Sequence, residues 1–341
     1  MVWYVWVIGL IVVAYIIRRF CNGPWYSKRK DLTSKTIIIT GSSAGIGKET
    51  AFDLLENGAY VIFACRDEKK TRDVIAEIKN PDSRARATFM RIDLTDVNSI
   101  INFNSEYRKQ VNRDIDMLIN NAGYTEDRFR LFEGVESSLM ANHVGHKILT
   151  MLLLDKFNRN EARIINVASY AHYFSNYTVE ELKRLENNLS FEGEGPYSMY
   201  KAFTQYGNTK LANVFFTQYL AEKLSRDYPS IKITCLHPGT VNTEFLRTLD
   251  NLPVWSKPFL TLIFKPFFWF ISKTPLAGIQ TTLTCVYEDF EKLVNGAYYS
   301  DCKKSPISAT ASNESIRNEF IKYSWMLVDK VTEGKVKLQK L

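Results

Sequence analysis

Tyr206 and Lys210 form a tyrosine–lysine pair whose spacing could do acid–base chemistry. On a helix, positions i and i+4 share a face. An ammonium one turn from a phenol favours the phenolate and lowers a pKa of about 10. Such a phenol can exchange a proton with an alcohol or carbonyl oxygen near neutral pH. The spacing alone decides nothing. With 18 tyrosines and abundant lysine, about one such pair arises by chance, and Tyr197/Lys201 is a second.

Other residues point to a nucleotide. Thr40-Gly41-Ser42-Ser43-Ala44-Gly45-Ile46-Gly47 follows a β-branched run, TIIIT at 36–40, and precedes a helical stretch. Glycines there let the backbone turn sharply and approach a ligand. The free N–H groups of a helix start suit a pyrophosphate. The spacing G-x-x-x-G-x-G departs from the G-x-G-x-x-G fingerprint, and the P-loop spacing is absent. A second strand ends on Cys65, Arg66 and Asp67. Arg66 suits a 2′-phosphate and favours NADP(H), whereas Asp67 suits the ribose hydroxyls of NAD(H), which is also admitted. Asp93-Leu94 closes the third strand, where a carboxylate can accept from an adenine amino group. Asn120-Asn121-Ala122-Gly123 closes the fourth, with small and amide residues under the ligand.

Strands at 36–40, 60–64, 87–92, 116–120, 162–167, 232–236 and 297–300 must position these residues. They alternate with helices at 46–57, 67–79, 96–111, 132–157 and 203–225. That alternation predicts an α/β fold, a doubly wound and mainly parallel seven-stranded sheet covered on both faces. Residues 171–200 read as an insertion with a charged helical piece. Residues 253–272 are intensely apolar but broken by Pro258 and Pro266, which suits a surface-lying or substrate-covering segment. Residues 304–341 read as a C-terminal extension.

The 341 residues suit one large domain plus extensions. Five scattered cysteines and four histidines, with no C-x-x-C, argue against a disulfide framework and a metal site, and suit a reducing compartment. The net charge of +7 gathers at the ends, in Arg18, Arg19, Lys28, Arg29 and Lys30 and again in Lys330, Lys335, Lys337 and Lys340. This distribution suits an anionic membrane surface better than nucleic acid, for which no recognition motif is present. Residues 1–17 carry no charge and as a helix span ~25 Å, the low end for crossing a bilayer. Positive charge follows this run rather than preceding it, which favours an uncleaved anchor over a secretory signal. A basic linker, 18–33, then leads to a catalytic domain expected in the cytosol, at the endoplasmic reticulum or a lipid droplet.

Several motifs occur in order: the glycine turn, Asn120-Asn121-Ala122-Gly123, Asn142-His143-Val144-Gly145-His146, Asn166-Val167-Ala168-Ser169, Tyr206 through Asn213, and His237-Pro238-Gly239. Together they resemble the short-chain dehydrogenase/reductase superfamily over residues 34–303. Leu211-Ala212-Asn213, Lys273-Thr274-Pro275 with Gly278 through Thr282, and Gly296 through Cys302 resemble its retinol dehydrogenase-like branch. The resemblance implies a Rossmann-type oxidoreductase acting on a hydrophobic alcohol or its carbonyl. It implies Tyr206 as acid/base and Lys210 as its pKa-lowering partner and a ribose contact. Ser169 would hold the substrate oxygen, and Asn142 a water linking Lys210 to solvent. It implies a pyrophosphate turn at Gly41, Ser43, Gly45, Ile46 and Gly47, further cofactor contacts from Arg66, Asp93, Leu94 and Asn121, and a nicotinamide segment at Pro238, Gly239 and Thr240. The tail after Tyr206 favours that pair over Tyr197/Lys201. Ser169 and Tyr206 are farther apart in sequence than the family usually allows, because of the insertion, and Thr209 replaces the branch's usual serine. His143 and His146 read as packing or surface residues. The expected partners are a hydrophobic small molecule and membrane lipid, with a homodimer admitted. A catalytically silent dinucleotide-binding scaffold is the alternative.

Overall fold

The computed structural model describes residues 2–187, 189, 195–241, 268, 270 and 272–340. At its centre is β1 (Thr36–Thr40), whose three isoleucines are fully buried. Successive strand side chains point to opposite faces. Ile38 therefore enters one apolar cluster, and Ile37 and Ile39 enter the other. A strand covered on both faces needs such an unbroken apolar run.

The remaining parallel strands are β2 (Tyr60–Cys65), β3 (Ala87–Arg91), β4 (Met117–Asn120), β5 (Ala162–Val167), β6 (Ile231–His237) and β7 (Tyr298–Ser300). The seven-stranded expectation is corrected to eight, because β8 (Lys303–Lys304) pairs antiparallel with β7. Asp301 and Cys302, at φ 47° and 59°, make the two-residue turn between them. The order across the sheet is β3-β2-β1-β4-β5-β6-β7-β8. The chain leaves β1 toward one edge and returns through β4 toward the other. Ligands in such sheets bind at the carboxyl ends of the strands flanking this switch.

The helices that matter for the site are α1 (Val2–Asn22), α2 (Gly45–Glu56), α3 (Glu68–Ala76), α4 (Val97–Glu106), α5 (Gly145–Leu152), α6 (Val179–Asn187), α7 (Met199–Asp227), α8 (Gln280–Tyr287) and α9 (Glu314–Thr332). The helix expected over 132–157 begins late. Leu131–Phe132 and Val135–Glu136 form a hairpin instead, turned by Glu133 and Gly134 at φ 53° and 71°. The helix starts at Ser137, passes through a π turn at Met140–Val144 and continues as α5. Single π turns inside helices often mark functional positions, and this one carries Asn142.

The extension at 304–341 packs back onto the domain. Phe320, Tyr323, Leu327 and Val331 of α9 lie at helical spacing and join the cluster holding Leu211 and Phe215 of α7. Most of the segment at 253–272 lies outside the described residues.

The apolar N-terminus forms α1, but among the described residues no helix is long and apolar enough to cross a membrane. The uncharged stretch of α1 stops at Arg18, short of the ~30 Å of a bilayer core. The basic ends are also less available than their charge implies. Arg18 donates to the carbonyls of Phe270 and Ser272, Arg29 pairs with Asp53 at 2.9 Å, and Lys30 with Asp289 at 2.6 Å. At the other end, Lys335 pairs with Glu133 at 2.8 Å and Lys340 with Asp329 at 2.5 Å.

Candidate active site

The glycine turn lies at the switch between β1 and β4. Gly41 has φ +68°, and a Cβ on it would sit 2.9 Å from Ala122 Cα. A Cβ on Gly47 would meet Asn121 Nδ2 at 2.5 Å and the Gly41 carbonyl oxygen at 2.6 Å. Only hydrogen fits at these two positions, so the backbone itself forms the cradle wall. Helix α2 begins here at Ala44, which supplies no side-chain cap, whereas α3, α4 and α7 are capped by Asp67, Asp96 and Ser198. The first N–H groups of α2 and its positive dipole end thus remain for an anion. These residues fit the pyrophosphate of a dinucleotide. Ser43 and Ile46 stand in the same turn, both partly buried.

Beside the turn, Thr40 organises the end of β4. Its Oγ1 accepts the backbone N–H groups of Asn121 and Ala122 at 2.9 and 3.0 Å, and Asn121 Nδ2 donates to the Thr40 carbonyl at 2.9 Å. The Thr40 hydroxyl is 2.8 Å from His146 Nε2, and His146 Nδ1 is 3.1 Å from the Asn142 carbonyl. Burial brings His146 down to about 4. A neutral ring donating from Nδ1 and accepting at Nε2 satisfies every partner. His146, expected as a packing residue, is one, and it also joins the glycine turn to the Asn142 carbonyl. The sequence carried no sign of this, since Thr40 and His146 are 106 positions apart.

Arg66 is largely exposed, with Nη1 3.8 Å from Asp93 Oδ2. Asp67 caps α3, its Oδ1 accepting the Lys70 N–H at 2.9 Å. Asp93 Oδ1 accepts from the Thr95 N–H and hydroxyl at 3.0 and 2.7 Å. Leu94 is buried, and its carbonyl packs so tightly on α5 that a Cβ on Gly145 would lie 2.3 Å from it. At the end of β6, Gly239 takes φ +93°, next to Pro238, and the Thr240 carbonyl accepts the Lys273 N–H at 2.7 Å.

Helix α7 presents Tyr206 and Lys210 on one face, whereas Tyr197 precedes the helix. Ser169, at the end of β5, is the neighbour that draws the Tyr206 phenol down, and its Oγ accepts the Ala171 N–H at 3.1 Å. Lys210 is buried, with Nζ donating to the Val167 carbonyl at 2.9 Å and lying 5.5 Å from the Tyr206 ring centroid. The side chain of Asn142 is clasped by Tyr124, accepting its N–H at 3.0 Å and donating to its carbonyl at 2.9 Å. Asn142 Nδ2 also donates to Thr209 Oγ1 at 3.1 Å, and that hydroxyl donates to the Tyr206 carbonyl at 2.8 Å. Thr209, the departure from serine, thereby ties Asn142 to the backbone of Tyr206. Lys210 Nζ and Asn142 Oδ1 converge over Gly123, 3.1 and 3.2 Å from where its Cβ would be.

Burial acts on both groups. Burial pushes the Tyr206 phenol up to about 12, with Ser169 the group that pulls it down, and burial brings Lys210 down to about 8. Lys210 Nζ is directed at the Val167 carbonyl, and Ser169 is the neighbour that draws the phenol down. Near neutral pH, Tyr206 carries its proton and can donate it.

The Lys210 shift has a consequence for stability. Its folded pKa lies below its unfolded value, so the unfolded chain binds more protons between pH ~8 and ~10.5, and stability rises across that window. Lys210→Met removes this rise. In urea denaturation, wild type is expected to gain up to about 3 kcal/mol on the variant from pH 7.5 to 10.5. A difference that stays flat with pH would refute the assignment. Lys147, buried and lowered in the same direction, is common to both proteins and cancels.

Residues 35–179 match the family model for short chain dehydrogenases. Human retinol dehydrogenase 11 is 33% identical over 90% of both chains. Human retinol dehydrogenase 12 is 34% identical over 89% of both chains. Salutaridine reductase from Papaver somniferum shares the fold at a TM-score of 0.54 and 20% identity, covering 78% of this chain and 99% of its own. A short-chain dehydrogenase/reductase of unknown function from Caenorhabditis elegans, solved with cofactor, has a TM-score of 0.57 and 22% identity, covering 78% of this chain and 93% of its own. The chain belongs to the short-chain dehydrogenase/reductase superfamily, in its retinol dehydrogenase-like branch, and is an oxidoreductase acting on CH–OH groups with a nicotinamide dinucleotide.

Proposed function

We propose that the protein interconverts a hydrophobic alcohol, retinoid, steroid or lipid-like, and its aldehyde or ketone, with NADP(H) as the preferred dinucleotide. The observation that carries the reading is the meeting of Tyr206, Ser169 and Lys210 beside the glycine cradle, under a rim of exposed aromatic side chains. Tyr170 is 54% and Phe174 50% exposed, and Phe174 packs 5.1 Å from Phe203. Such a rim next to Ser169 favours an apolar substrate.

The dinucleotide supplies the hydride; the protein supplies orientation and the proton. The backbone of Gly41, Ser43, Gly45, Ile46 and Gly47 would hold the pyrophosphate. Asp93, Leu94 and Asn121 would flank the adenosine and ribose, and Pro238, Gly239 and Thr240 would wall the nicotinamide. Ser169 Oγ orients the substrate oxygen while the Tyr206 hydroxyl exchanges a proton with it. Lys210 would contact the ribose, and Asn142 would hold a water linking Lys210 to solvent. Turnover of retinals, steroid ketones and long-chain aldehydes, measured with NADPH and with NADH, tests the reading. No turnover anywhere on that panel sinks it.

The NADP(H) preference rests on Arg66, exposed and 3.8 Å from Asp93, with Asp67 committed to the cap of α3. Arg66→Ala is expected to weaken NADPH binding roughly tenfold and leave NADH binding within about twofold, by the strength of charge-assisted phosphate contacts. Equal weakening of both would remove the preference.

We also propose that α1 attaches the protein to a membrane at the endoplasmic reticulum or a lipid droplet, with the catalytic domain in the cytosol. Trp6 at 72% and Phe20 at 85% exposure support it, since a run of exposed apolar side chains marks a surface made to be covered. Flotation with anionic vesicles should be lost when residues 2–17 are deleted; retained flotation would argue against it.

A further inference from the structure

Glu136 is a buried carboxylate that the chemistry above does not use. It is 2% exposed, and among the described residues no cation lies within ion-pair distance. It stands at the N-cap of the helix that carries Asn142, a position where Ser, Thr, Asp or Asn is the usual choice. One of its oxygens, Oε2, collects three donors: the Leu139 N–H at 2.9 Å, the Ser138 hydroxyl at 2.8 Å and Gln205 Nε2 at 3.0 Å. The other oxygen lies 3.4 Å from the Ser137 hydroxyl. Burying an unpaired carboxylate is costly unless donors satisfy it. The first two donors belong to its own helix start. The third comes from α7, 69 residues away, from the residue immediately before Tyr206.

We infer that Glu136 is a positioning residue for Tyr206. Consecutive residues on a helix are rotated by about 100°. Fixing Gln205 on one side of α7 therefore fixes the direction in which Tyr206 leaves it. The same carboxylate starts the helix whose π turn presents Asn142. Through Leu139 and Gln205 it sets the Asn142 helix against the Tyr206 helix, and Asn142, Thr209 and the Tyr206 carbonyl close the frame from the other side. Misplacement of a catalytic group by about 1 Å can cost a hundredfold in rate, so a frame of this kind reads out in kcat.

The inference rests on Tyr206 acting as the proton donor, and its test separates the two. Glu136→Gln, Gln205→Glu and the exchanged double variant are compared with wild type on an alcohol or aldehyde it turns over. Each single variant is expected to lower kcat roughly tenfold and leave the NADPH Kd within about twofold. The exchanged pair, in which the carboxamide donates to the carboxylate, is expected to recover to within about threefold of wild type. Unchanged kcat in Glu136→Gln overturns the proposal, as does a parallel loss of kcat and NADPH binding with no recovery in the exchanged pair. If Glu136→Gln does not fold, Gln205→Ala carries the test: it leaves the contacts to Leu139 and Ser138 in place, and an unchanged kcat overturns the proposal. Amide hydrogen exchange over residues 199–210 gives a readout without substrate. It should quicken in the single variants and return in the exchanged pair, and unaltered exchange counts against Glu136 even if no substrate on the panel is turned over.

Discussion

Tyr206→Phe is expected to lower kcat by about 10³-fold or more while leaving NADPH affinity within about twofold. The substitution removes one oxygen and keeps the ring, so the packing of α7 is preserved. What is lost is the hydroxyl whose pKa Ser169 draws down, beside the cradle. With the phenol pushed up to about 12, Tyr206 enters a reaction at neutral pH with its proton in place. The nearest other groups are Ser169, whose hydroxyl is a far weaker acid than a phenol, and Lys210, whose Nζ is directed at the Val167 carbonyl. Single-turnover kinetics with saturating NADPH, together with fluorescence titration of the nucleotide, separate chemistry from binding. A loss of less than about tenfold in the chemical step would mean that another group moves the proton.

The second large effect is expected at the cradle. Gly47→Ala places a methyl group 2.5 Å from Asn121 Nδ2 and 2.6 Å from the Gly41 carbonyl oxygen. The first neighbour is itself tied to the Thr40 carbonyl at 2.9 Å, and the second is backbone, so neither yields cheaply. Overpacking of this kind costs about 1–3 kcal/mol in stability. The larger loss falls on the ligand, because the turn must open where the pyrophosphate lies. Calorimetric titration is expected to show NADPH affinity reduced about 100-fold or more, with the far-ultraviolet circular dichroism retained. Gly9→Ala, where nothing lies within 4 Å, is the control and leaves affinity unchanged. Affinity within threefold of wild type in Gly47→Ala would show that the dinucleotide does not lie on this turn.

Much of this protein is written locally. The run at 36–40 could only be a strand buried on both faces, because three consecutive isoleucines tolerate neither solvent face nor turn. The glycines at 41, 45 and 47, between that strand and an amphipathic stretch, already announced a backbone that must pass close to a ligand. The alternation of strands and helices set the doubly wound class, and the ordered motifs set the family. These features rest on neighbours a few residues apart, and so they are legible without coordinates.

Contacts between residues far apart in sequence were decided by tertiary structure alone. Even the start of the helix expected over 132–157 was settled this way: a hairpin at 131–136 stands there, turned by Glu133 and Gly134 in left-handed conformations. Residues 304–341 look like an appendage but supply α9, whose apolar face is satisfied only against α7. Charge at the chain ends is spent on partners such as Asp53, Asp289 and Glu133, which no local pattern reveals. The acidity of Tyr206 is the clearest case. From spacing, a lysine one turn away should lower it. Folding buries both groups, and desolvation, which depends on everything packed around them, pushes the phenol up and the ammonium down, an effect that the i, i+4 spacing does not encode.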